Sequence, residues 1–180
     1  LAFVTEDGGV SWQSLIGHID NPMGAHLYAI AQQGERWFIA GEQGYVARSE
    51  DGGQSFVALD SPYSGSFFAL QVSDDGTLLA AGLKGNAFIS TDDGNSFVPA
   101  PVPMPVSFSE AIRTADGQLL LVNQAGAMFR TTGDALTLQP FGKPLGKPIS
   151  SVVQAADGSL VLAGFTGVTR LASPTATASE

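Results

Sequence analysis

The chain has 180 residues, enough for one sizeable domain, and carries 17 acidic against 8 basic side chains, a net charge of −9 with a pI near 4.4. That balance excludes a nucleic-acid binder, which needs clustered lysine and arginine to neutralise phosphates. The chain has no cysteine, which excludes disulfides, thiol nucleophiles and thiolate metal sites, and no apolar run reaches the roughly 18–20 residues of a membrane span.

The 22 glycines and 10 prolines fit a fold of short strands and tight turns. From the N-terminus, residues 1–16 read as two strands around Thr5-Glu6-Asp7-Gly8-Gly9-Val10-Ser11-Trp12. The pattern returns as Ser49-Glu50-Asp51-Gly52-Gly53-Gln54-Ser55-Phe56 and as Ser90-Thr91-Asp92-Asp93-Gly94-Asn95-Ser96-Phe97. Each copy predicts a turn between strands. The Asp carboxylate accepts backbone N–H groups further along, Gly9, Gly53 and Gly94 supply positive φ, the hydroxyls of Thr5, Ser11, Ser49, Ser55, Ser90 and Ser96 tie the arms together, and Trp12, Phe56 or Phe97 buries apolar surface in the next strand.

A loop at 18–25 follows the first copy, and complete four-stranded units are expected at 26–60, 67–101 and 108–141. Gly44, Gly85, Gly126 and Gly167 recur every 41 residues, and Gly76, Gly117 and Gly158 keep the same spacing. A period near 40–45 with several short strands per unit marks a β-propeller blade. The second strand of each unit is apolar throughout (Trp37–Ala40, Leu78–Ala81, Leu119–Val122, Leu160–Ala163), as expected of a strand covered on both faces. In the unit 108–141 the acidic turn has degenerated to Thr131-Thr132-Gly133-Asp134-Ala135-Leu136-Thr137-Leu138 and should be looser. The last unit, 149–171, keeps three strands, and 172–180 reads as a flexible tail. The chain begins in mid-pattern at Leu1, so the expected architecture is all-β, the C-terminal part of a roughly seven-bladed ring. The competing expectation is a four-bladed ring closed through a composite blade.

The repeated motif resembles the Asp-box, or bacterial neuraminidase repeat, of β-propellers. That resemblance implies a structural role for the box, on the turn between the third and fourth strands of a blade. The spacing and the run from Ala40 to Phe56 are similar to the photosystem II assembly and stability factor family and its non-photosynthetic bacterial relatives, over about residues 1–171. The resemblance implies a non-enzymatic, extracytoplasmic scaffold of the periplasm or lumen whose partner is a membrane-complex subunit, with no cofactor and no metal. The photosynthetic members carry an arginine-rich surface. This chain has five arginines, and no binding residue is carried over.

The residues themselves leave three classes open: protein scaffold, glycoside hydrolase or carbohydrate binder with a glycan as partner, and structural domain of a larger secreted protein. Asp7, Asp51 and Asp92 recur once per blade, whereas a catalytic site occurs once per ring, so they read as structural. A sialidase-like site needs converging arginines and a Tyr/Glu pair. Arg48 and Arg130 fall at near-equivalent positions in different blades, and Tyr28, Tyr45 and Tyr63 show no partner motif. Glu110 is the candidate channel acid, on a first strand where Tyr28, Ala69 and Ser151 occupy the matching 41-residue positions. His18 and His26 lack neighbouring ligands at metal spacing. The face bearing the G-x-x-G turns and blade-to-blade loops is the candidate partner face, with Glu42, Gln43, Tyr63, Lys84, Gln124, Lys143, Lys147 and Phe165.

Overall fold

Runs of four apolar residues in a strand leave no side for water, so each must be covered twice. The computed structural model, which describes residues 2–132 and 137–172, shows how. Strands β1 (Phe3–Val4) and β2 (Gln13–Ser14) form a two-stranded hairpin. Three four-stranded antiparallel meanders follow. The first is β3 (Leu27–Gln33), β4 (Arg36–Gly41), β5 (Val46–Ser49) and β6 (Val57–Ala58). The next are β7 (Phe67–Val72), β8 (Leu78–Gly82), β9 (Ala87–Ser90), β10 (Val98–Pro99), and β11 (Phe108–Arg113), β12 (Leu119–Asn123), β13 (Met128–Thr131), β14 (Leu138–Pro140). A three-stranded sheet of β15 (Ser151–Gln154), β16 (Leu160–Gly164) and β17 (Gly167–Leu171) ends the described chain.

The first strands β3, β7, β11 and β15 lie beside one another in succession, which stacks the sheets face to face as blades. Each second strand alternates its side chains between two cores. Leu79 and Ala81 of β8 join Leu119 and Leu121 of β12, while Leu78 and Ala80 of β8 join Phe38 and Ala40 of β4. On the far side of β12, Leu120 and Val122 pack with Val152, Leu160 and Leu162. Period-two side-chain alternation thus becomes blade-to-blade packing, and every residue of β8 and β12 is buried.

Glycine is required where the second strand of a sheet meets the segment entering its first strand. At Gly41, Gly82 and Gly164 a Cβ would lie within about 2 Å of the carbonyl oxygens of His26, Ser66 and Pro148. At Gly44, with φ +75°, it would strike the Tyr63 carbonyl.

The repeat is not strictly periodic. Gln33 pairs with Arg36 across a two-residue turn, whereas Ser73 bonds Thr77 across three residues. The β3 register is therefore shifted by one. Ala29, not Tyr28, holds the position of Ala69 and Glu110, opposite Ala40, Ala81 and Val122 respectively. Likewise Gly164 pairs directly with Gly167, so the β16–β17 turn is a tight Phe165-Thr166 pair. Trp12, expected in blade packing, is 61% exposed, because only a two-stranded hairpin carries it among the described residues, and its indole N–H donates to the Gly9 carbonyl. Phe56 is buried and Phe97 half-buried, as blade-packing residues should be. The degenerate turn falls on 133–136, and the tail, beyond Ala172, on 173–180, outside the described residues.

Candidate functional site

Turns within a meander alternate between its two ends, which gives the molecule an acid-turn face and a loop face. On the acid-turn face the three repeated turns have one geometry. The hydroxyls of Thr5, Ser49 and Ser90 donate to Oδ1 of Asp7, Asp51 and Asp92 at 2.8, 2.7 and 2.7 Å. The same hydroxyls accept the N–H of Gly9, Gly53 and Gly94. The backbone N–H and hydroxyl of Ser11, Ser55 and Ser96 close the ring on each carboxylate, the hydroxyls at 2.6 Å. These bonds stabilise the ionised form. The Ser11 hydroxyl above all holds Asp7 at about 2, and the Ser96 hydroxyl does the same for Asp92, also about 2. Asp51 is lowered further, chiefly by the Ser49 hydroxyl. Both carboxylate oxygens of Asp7, Asp51 and Asp92 are thereby engaged within their own loops, which leaves these three groups no role as a general acid near neutrality.

The five arginines serve the same face. Arg36 reaches across a blade to Asp93, and Arg48 donates to the Asp93 carbonyl at 2.7 Å while pairing with Glu50. Arg113, Arg130 and Arg170 pair with Asp74, Asp116 and Asp157. Gln33 donates to the carbonyls of Ser73 and Asp74, and Gln154 accepts the Ala115 N–H, so neighbouring blades are latched at this end. No two arginines converge on the tyrosines, and the described residues do not assemble an arginine cluster of the sialidase kind.

The loop face is different. Glu42 accepts the Tyr28 hydroxyl at 2.8 Å and the His26 backbone N–H at 3.2 Å, and its carboxylate lies 3.1 Å from the His26 ring. The Tyr28 hydroxyl is the main cause of a lowered Glu42 pKa, and its bond to Glu42 in turn raises the pKa of Tyr28. Hairpin arithmetic could have found part of this cluster, since the antiparallel pairing of Leu27 with Gly41 puts residue 26 opposite residue 42, with residue 28 two positions further along the same strand. Tyr63 is half-buried. Its ring packs against Phe67 and Phe88 at 5.6 Å each and its hydroxyl lies within reach of the Leu83 carbonyl, so it builds the framework of the face. Gln43 and Lys84 stand at positive φ on the tips of two equivalent turns, both exposed, as are Gln124 and Lys143. Lys147 is half-buried and its ammonium donates to the Thr169 hydroxyl.

Between the third, fourth and fifth sheets this face opens into a groove of about 550 Å³, lined by Phe68, Phe108, Ser109, Gln124, Pro148 and Phe165 among others. Phe165 is 91% exposed. The Tyr28 ring sits 5.2 Å from that of Phe68 and extends the aromatic wall. Phe68 and Ser109 carried no signal in the sequence beyond their place on first strands. Glu110 projects from β11 and accepts the Val152 N–H of β15 at 3.1 Å, joining two inner strands. Among the described residues no three His, Asp or Glu side chains converge on a metal site.

No family model matches the chain, and no curated protein matches it. Solved structures do. A structure of YCF48 bound to D1 peptide matches with a TM-score of 0.67 at 18% identity, covering 93% of this chain and 57% of that one. YCF48 from Cyanidioschyzon merolae follows at 0.61 and 14%, covering 89% and 56%. The fold is that of a β-propeller. Virginiamycin B lyase from Staphylococcus aureus has the same likeness, at 0.66 and 13% identity, covering 88% and 59%. The chain thus spans less than two thirds of the length of these neighbours, and at such identities the likeness is one of fold.

Proposed function

We propose that this propeller is a non-enzymatic, photosystem-assembly-factor-like scaffold that binds a protein partner through its loop face, the partner being a subunit of a membrane or envelope complex and the setting extracytoplasmic. The observation that carries the reading is the likeness, over nearly the whole chain, to YCF48 bound to D1 peptide. The distribution of polar groups supports it. The acid-turn face, Asp-boxes included, commits its charges to internal bonds, whereas the loop face keeps an apolar groove and lysines without acidic partners among the described residues. Aromatic surface rimmed by polar groups is the usual composition of a recognition site. The experiment is a pull-down with the intact protein from gently solubilised native membranes, read by mass spectrometry. A stoichiometric membrane-protein partner is the expected result, and its absence overturns the reading.

A second reading is carbohydrate binding or hydrolysis. The cluster of Tyr28, Glu42 and His26 beside the aromatic wall favours it, and the lyase neighbours set a precedent for enzymes on this fold. Retention on a glycan column together with hydrolysis of a glycoside panel, both lost in Glu42→Gln, would move the assignment there.

A further inference from the structure

We propose that the groove beneath Phe165 receives an extended segment of the partner protein in which bulky apolar side chains alternate with carboxylates, an inference that rests on the protein-binding reading above.

Three features lead to that occupant. The first is shape and polarity. Phe108 and Ile149 form a buried floor, Phe68, Pro148 and Phe165 form walls, and the volume of about 550 Å³ lies within the range of sites that bury small ligands or side chains. Phe165 contributes nothing to the core. It stands 91% exposed on a two-residue turn, where the shorter β16–β17 connection holds it out from the blade. An exposed aromatic side chain on a rigid turn provides contact area at small entropic cost.

The second feature is the rim. The Ser109 hydroxyl lies 2.8 Å from the Ile149 carbonyl and 3.2 Å from that of Val122, so its single proton is occupied while its lone pairs remain open to an N–H. Gln124 offers an amide donor and acceptor from the neighbouring turn. An extended backbone presents that alternation of donors and acceptors.

The third is charge. The chain has three lysines, and all three lie on this face. The Lys84 N–H donates to the Ser107 hydroxyl and the Gln124 N–H to the Ser107 carbonyl, which brings both residues to the start of the strand bearing Ser109. Lys147 immediately precedes Pro148 of the groove wall, and Lys143 sits in the same connection. None of the three forms an ion pair among the described residues, whereas all five arginines do so at the opposite end. A chain of net charge −9 thus gathers its uncompensated cations around one apolar groove. That is complementary to carboxylates, and it steers an acidic segment toward this end of the molecule.

The test uses the whole chain and a fluorescein-labelled decapeptide alternating Asp with Phe and Leu, titrated by fluorescence anisotropy, with the same peptide carrying Lys in place of Asp as its counterpart. The acidic peptide should bind at least about tenfold more tightly, and its affinity should fall as salt is raised. Phe165→Ser should weaken binding about five- to tenfold, and the double charge reversal Lys84→Glu with Lys143→Glu should abolish the preference for the acidic peptide. All three side chains are exposed, so the variants keep the fold, and Glu50→Lys on the acid-turn face should leave binding unchanged. Equal binding of both peptides, or binding indifferent to Phe165→Ser, overturns the groove assignment. A membrane partner captured equally by the wild type and by Phe165→Ser overturns the groove alone, whereas no partner with retention on glycan overturns the protein-binding reading beneath it.

Discussion

The two ends of this propeller use the same residue classes in opposite ways. At the acid-turn end, Asp7, Asp51 and Asp92 fold back on their own loops, Arg36, Arg48 and Arg113 reach to a neighbouring sheet, and Arg130 and Arg170 pair with acids of their own sheets. At the loop end, the lysines stand away from carboxylates and Phe165 stands in water beside an apolar groove. A repeat protein must latch each blade to its neighbour with groups that recur, and groups so used are less available to a ligand. The turns and connections of the loop end recur less strictly, and among the described residues they hold the lysines that form no ion pair and the exposed Phe165.

The comparison breaks most completely if the framework beneath both ends is cut. Phe67 is fully buried between the second and third sheets, with Phe88 and Val46 in the same core. Phe67→Ala should cost about 3–5 kcal/mol, measured by chemical denaturation, and both ends should unfold in one transition. A sharper cut separates conformation from contact. Gly34 and Gly44 both have positive φ, but a Cβ on Gly34 meets open space, whereas on Gly44 it would lie 1.7 Å from the Tyr63 carbonyl oxygen. Gly34→Ala should cost about 1–2 kcal/mol for the left-handed backbone alone, and Gly44→Ala at least about 3 kcal/mol once the overlap is added.

Charge deletions at the two ends should differ as well. Arg48, its side chain 19% exposed, holds the Asp93 carbonyl and pairs with Glu50, so Arg48→Ala should lose about 1–2 kcal/mol. Lys84→Ala, with no such bonds, should stay within about 0.5 kcal/mol of the wild type. The smallest effect per residue is the pH dependence. The folded values of Asp7 and Asp92 are depressed to about 2, below the unfolded value of about 3.9. Their contribution is therefore complete above about pH 4 and is lost as pH falls toward 2. Thermal midpoints should decline over that window, and Asp51→Asn, which removes a third such group, should make the decline shallower.

Most of the framework was legible in the sequence because it is periodic. Glycines 41 residues apart, and second strands apolar at every position, left one economical way of burying both faces of each sheet. The alternation of turns separates an acid-turn end from a loop end in the sequence already, but the details of the loop end were not readable there. A single residue missing from the turn at Gly34 shifted Tyr28 out of the position assigned to it and into contact with Phe68 and Glu42. Tyr63 is absorbed by the aromatic packing of Phe67 and Phe88, and Glu110 by a backbone N–H of the next blade. Groove residues Phe68, Ser109 and Ser150 stand one repeat apart, and the contact between successive first strands brings them together.

The account turns on the loop face being the binding face. The most direct measurement is the membrane pull-down run in parallel with wild type, Phe165→Ser combined with Lys84→Glu, and Glu50→Lys. The account predicts one stoichiometric partner retained by the wild type and by Glu50→Lys and lost by the loop-face variant. Retention by the loop-face variant with loss in Glu50→Lys would contradict it and move recognition to the acid turns.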